Sequence, residues 1–233
     1  MTLACQMQWV WVRWVFCLAL FGWSFSAYGQ PTIDLTRAVV VAPANPSGPE
    51  NKAMQMLLEE VENRSQVRWK LANQAPNEGT PFISINRPLV KSGLLLREGY
   101  QIKTTNNTVT ITGNDARGVL FGVGHLLRTL RMNKRSITLP ADFNITTAPK
   151  YPLRGHQLGY RPKTNSYDGW TVAMWEQYIR DLVMWGTNAI ELIPPRSDDD
   201  ADSPRFPLPP LQMMIAMSQI CADYDLDVWI WYP

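Results

Sequence analysis

EGYQIKTTNNTVTITGNDARGVLFGVGHLLRTL, residues 98–130, decides the fold. Its runs YQIKTT and TVTITG alternate apolar and polar residues at the period of a half-buried strand. Asn106-Asn107 between them tolerates the left-handed backbone of a tight turn, so the two runs predict an antiparallel hairpin. After it, Val119, Phe121, Val123, Leu126, Leu127 and Leu130 recur on one side of a helix. Asn114 or Asp115 supplies a side-chain oxygen for the unpaired N–H groups at that helix's start.

Upstream, RAVVVAP reads as a strand, ANPSGPE as a turn, and Lys52 to Arg64 as a helix carrying Met54, Met56, Leu57 and Val61. VRWKLA and PFISINRP are further strands, and SITLP closes the unit downstream of the helix. The expectation is an α/β fold that begins with a small α/β sandwich, helices on one face of a mixed sheet. DFNITTAPKYP, residues 142–152, reads as a linker.

A second rhythm starts at Leu153. LRGHQLGY, NAIELIPP and DVWIWYP read as buried strands. They alternate with helices over Thr171 to Trp185 and Leu208 to Asp225, the first with Met174, Tyr178, Leu182 and Trp185 on one side. This is βαβαβ, the repeat of a parallel sheet. Long segments follow the strands and short turns precede them, the habit of a TIM barrel, so the stretch reads as the first part of an incomplete barrel. A doubly wound sheet is the alternative, although no Gly-rich phosphate fingerprint follows the first strand.

Composition sets bounds on function. Residues 1–29 carry Arg13, an apolar run from Trp14 to Phe25, and the small-x-small site Ala27-Tyr28-Gly29, the pattern of a cleaved secretory leader. The apolar run is shorter than the ~20 residues of a membrane span. The chain is therefore expected to be exported, with no stable membrane anchor after cleavage. Basic and acidic side chains number 22 and 20, a balance that argues against a nucleic-acid partner. Of three cysteines, Cys5 and Cys17 lie in the leader, leaving Cys221 as a buried small hydrophobe. The domain expectation is a leader at 1–29, an accessory domain at 30–149, and the start of a barrel at 150–233.

The stretch 98–130 resembles the small domain that precedes the catalytic barrel in bacterial β-N-acetylhexosaminidases of glycoside hydrolase family 20, with relatives in α-glucuronidases. Glu98, Tyr100, Ile102, Ala116, Gly118, Gly122 and Leu126 carry the resemblance. YPLRGHQLGYRP is similar to the family's first barrel strand, which implies that Arg154 binds sugar hydroxyls through its planar fork of donors. Asn188 matches the second strand, but Glu191 and Ile193 stand where the family has histidines. In that family the substrate's own acetamido group attacks, assisted by an Asp-Glu pair on the fourth barrel strand. The resemblance places that pair beyond residue 233 and implies an N-terminal fragment, inactive alone, of a protein acting on oligo- or polysaccharide. The rival reading is a non-catalytic carbohydrate-binding or scaffold protein.

Candidate substrate contacts are Arg154, His156, Tyr160, Glu191 and Trp231, with no catalytic residue, metal ligand or cofactor assigned. Glu191 sits in an apolar strand and needs a partner, for which Arg154 on the neighbouring strand is the expectation. Trp229 is assigned to packing and His125 to structure, and Asp198, Asp199, Asp200 and Asp202 form a solvated acidic loop.

Overall fold

A computed structural model describes residues 31–87, 96–158, 166–192 and 206–230. The leader, Tyr160, Trp231 and the acidic loop lie outside the described residues. Strands β1 (Thr32–Asp34), β2 (Val39–Val41), β3 (Lys70–Ala72), β4 (Phe82–Asn86), β5 (Tyr100–Thr105), β6 (Thr108–Gly113), β7 (Arg131–Asn133), β8 (Ser136–Pro140) and β9 (Asn144–Thr147) precede β10 (Gly155–Gln157), β11 (Ala189–Leu192) and β12 (Asp227–Ile230). Helices α1 (Gly48–Ser65), α2 (Ala116–Thr129), α3 (Val172–Met184) and α4 (Pro210–Asp223) are interspersed.

The main sheet runs β3-β2-β4-β6-β5-β9 and is mixed, with β5 and β6 as the antiparallel hairpin and Asn106 at its tip at φ 51°. Its inward rows, including Val40, Ile83, Val109, Ile102 and Ile111, are fully buried. One expectation is corrected here. Residues 144–147 are not linker: β9 pairs with β5, placing Ile145 opposite Ile102. The SITLP strand lies outside the main sheet and pairs with β1 and β7.

Helix α2 begins at Asp115, whose carboxylate accepts from Gly118 N at 2.7 Å and from Glu98 N at 2.8 Å. Asp115→Ala is expected to lower stability by about 1 kcal/mol, read from the midpoint of a urea titration. Apolar groups lie on more than one side of α2 because it is covered twice. Gly118 and Gly122 press on the hairpin, while Gly124 lies against Met184 at the end of α3. A helix apolar on several sides is one that is buried on several sides.

Strands β10, β11 and β12 are parallel neighbours in a third sheet, with α3 and α4 as the crossovers. Ile190 and Leu192 are fully buried, as are Ile179 and Val183 of α3. The apolar side expected for α3 is one position out of phase. Trp175, Ile179 and Val183 face inward, whereas Met174 and Trp185 are exposed. Strand β12 is likewise not buried, since Val228, Trp229 and Ile230 are all exposed. The aromatic run that predicts a core strand occupies the edge of the described sheet, beside a face that no described element covers. Cys221 is fully buried, and burial pushes its thiol up to about 12. No helix among the described residues is long and apolar enough to cross a membrane.

Candidate functional site

Parallel register places Gln157 beside Glu191 and Glu191 beside Trp229. In-register neighbours share a sheet face, and the next residue along each strand points the other way. Ile190 and Leu192 turn to the helices, so Gln157, Glu191 and Trp229 form a row on the uncovered face. The row lines an open hollow of about 590 Å³, floored by Gly155 and Ala189. Trp229 is 60% exposed. Among the described residues, the Glu191 carboxylate accepts no hydrogen bond from a side chain, while its backbone oxygen accepts from Leu158 N at 3.1 Å. An amide, a carboxylate and a flat indole in one row can meet hydroxyls and a sugar's C–H face together.

Arg154, placed just before β10, is held by its own protein. Its Nε donates to Gly186 O at 2.7 Å, Nη1 to Tyr151 O at 2.8 Å and Nη2 to Glu98 Oε2 at 2.6 Å, and the guanidinium lies 5.2 Å from the Phe121 ring centre. The expected Arg154–Glu191 pair does not form, because Glu98 from the first half of the chain takes the arginine. His156 borders the same hollow, with Nε2 2.9 Å from the Tyr178 hydroxyl of α3. Trp229, read as packing, instead presents its ring to the hollow. His125 keeps a structural place, with Nδ1 2.8 Å from the Tyr100 hydroxyl.

Glu98 was not singled out as a site residue by the sequence, yet it is the hub beneath this one. It is 3% exposed and has φ 58°. Besides Arg154, its carboxylate accepts from Arg117 Nη1 at 3.1 Å and from Asn188 Nδ2 at 3.1 Å. Burial alone would raise its carboxyl, but hydrogen bonds from Arg154, Asn188 and Arg117 outweigh it and hold the group below the usual glutamate range. Arg117 also reaches Asp227 at 2.8 Å and Asp225 at 3.2 Å, which ties α2 to the start of β12. Asn188 Oδ1 accepts from Arg154 N at 2.8 Å, so one asparagine joins the starts of β10 and β11. The signal available in sequence was an acid at the mouth of the hairpin together with Arg117 in an otherwise apolar helix.

A two-layer α/β unit joined through buried ion pairs to a parallel βαβαβ unit is the class of protein that the geometry defines. The model of glycosyl hydrolase family 20, domain 2, matches residues 27–146, just over half of the chain, and the chain belongs to that family. Sequence comparison with curated proteins finds no match.

Among solved structures, the chain is similar to the GH20 exo-β-N-acetylglucosaminidase of Vibrio harveyi in complex with N-acetylglucosamine, with a TM-score of 0.63 at 13% identity over 87% of this chain and 34% of that one. The GH20 β-N-acetylhexosaminidase of Streptomyces coelicolor gives 0.61 at 15% identity, over 87% of this chain and 43% of that one. A mutant Streptomyces plicatus β-hexosaminidase with its product GlcNAc gives 0.63 at 17%, with the same coverage. At these identities the likeness establishes the fold. The chain spans well under half the length of each of these enzymes.

Proposed function

We propose that residues 150–230 open a (β/α)₈ barrel in an exported glycoside-hydrolase-related protein, and that the Gln157–Glu191–Trp229 row is part of its carbohydrate site. Family membership supports the glycoside-hydrolase relation, and the leader pattern in residues 1–29 supports export. The observation that carries the site is the row itself, polar and aromatic groups in register on a sheet face that no described element covers. Trp229 stacks on a pyranose while Gln157 and Glu191 exchange hydrogen bonds with its hydroxyls. Arg154 supports the first strand from beneath, His156 borders the hollow, and Tyr160 and Trp231 are carried into the proposal from the sequence as further sugar contacts. Glycoside hydrolysis ordinarily needs two groups across the scissile bond, and Glu191 is one carboxylate without an opposing acid among the described residues. The chain by itself binds sugar and does not cleave it.

The test is direct. Purified chain is titrated with N-acetylglucosamine and chitobiose by calorimetry and assayed against aryl β-N-acetylglucosaminides. The expected result is weak binding, reduced about tenfold in Trp229→Ala by loss of the stacking surface, with no release of the aryl group. Turnover by the purified chain, or binding indifferent to Trp229→Ala, would overturn the reading.

A further inference from the structure

A second hollow, of about 170 Å³, lies away from the strand row, between the last turn of α2 and the Met184–Gly186 turn that ends α3. Arg128 stands in its wall. Arg128 Nη1 donates to the Met184 carbonyl, and the guanidinium carbon lies 4.7 Å from the ring centre of Trp185. A guanidinium has five N–H donors, and among the described residues Arg128 meets no other acceptor and no carboxylate. Arg154, on another wall, pairs with Glu98, which Arg117 shares. Among the described residues Arg128 is therefore the charge in this wall without an ionic partner. Its field reaches its neighbours, since His125 is held below its usual range by burial first and by Arg128 second. Trp185 is 76% exposed, which leaves indole surface open beside the cation.

A half-buried guanidinium with spare donors attracts an anion, and a carboxylate fits its planar fork with two parallel bonds. The neighbouring indole favours an apolar ring face next to that carboxylate. The hollow is smaller than a typical drug-sized ligand site, which limits the occupant to about one ring. We propose that this hollow is a binding site for a carboxylate-bearing pyranose, a hexuronate unit, with Arg128 on the carboxylate and Trp185 on the ring. The choice of a sugar as the ring rests on the carbohydrate reading above, whereas the anion site does not.

The test titrates the full chain with glucuronate, glucose and acetate by calorimetry, then repeats the series on variants. Glucuronate is expected to bind at least about tenfold more tightly than either glucose or acetate, since each supplies only half of the recognition. Trp185→Ala, an exposed position, is expected to remove most of that advantage, and Arg128→Met to abolish the preference for the carboxylate. Arg128 also bonds the end of α3, so Arg128→Gln, which keeps a donor for Met184 O while losing the charge, serves where the methionine variant fails to fold. Equal affinity for glucuronate and glucose overturns the proposal, as does acetate binding as tightly as glucuronate. Glucuronate binding that survives both Trp185→Ala and Arg128→Gln but falls in Trp229→Ala moves the ligand to the strand row. That outcome sinks this site and leaves the earlier reading standing.

Discussion

Glu98→Ala is expected to destabilise the chain by about 3–5 kcal/mol, the usual loss when one partner is taken from a buried ion pair. The side chain is almost completely shielded, and two guanidiniums and one amide point at its two oxygens. Among the described residues, removing it leaves Arg117 with the half-exposed Asp225 and Asp227, and Arg154 with two backbone carbonyls. Urea unfolding followed by circular dichroism would read the loss as a lower midpoint. A midpoint within a few tenths of a molar of the parent would refute the hub. The pH dependence has a definite sign. The folded carboxyl sits below its ordinary value, so its stabilisation is present above about pH 4.3 and is lost as the pH falls through the folded value. The parent is therefore expected to lose more stability on acidification below pH 5 than Glu98→Gln does.

Gly118→Ala should have the next largest effect. A Cβ there would sit 2.3 Å from the carbonyl oxygen of Gly99, and that neighbour is backbone, which cannot rotate aside. Either α2 lifts from the hairpin or the Gly99 turn shifts, and Gly99 adjoins the Glu98 carboxylate in sequence. A penalty of about 1–3 kcal/mol from overpacking is expected, visible as a lower thermal midpoint with unchanged helical signal. Coupling with Glu98→Ala gives a sharper check. The double variant should lose less than the sum of the singles, because both loosen the same junction. Strict additivity would show that the junction is not a unit.

The hairpin, α2 and the three parallel strands were legible because each is a local pattern: alternation, helical spacing, an acid before the helix, a turn residue at the tip. The misreadings share a physical origin. Ile145 has strand character, but its strand is identified only by β5, more than forty residues earlier in sequence, so the segment reads as a connector. Val228, Trp229 and Ile230 suggest a core strand by composition, yet exposure depends on what covers a face, and composition does not report that. The phase error on α3 arose because Trp and Met occur on both sides of that helix, so apolar spacing alone supports two faces. Of the site, Glu191 was visible as a carboxylate in an apolar run. Its in-register neighbour Gln157 was not, because register depends on pairing. Arg154 was assigned to sugar by resemblance, and the partner that claims it, Glu98, lies in a different half of the chain.

The double coverage of α2 bears on the order in which the molecule assembles. The hairpin and α2 are consecutive in sequence, so their contacts close short loops and can form early. The later βαβαβ segment follows along the chain and meets α2 through Met184 of α3, against Gly124, and through Asp227 of β12, on Arg117. During synthesis the late strands thus emerge beside a wall already built, with its anchoring guanidinium in place. A lesion in residues 98–130 would then act twice, slowing its own closure and removing the template for everything that follows.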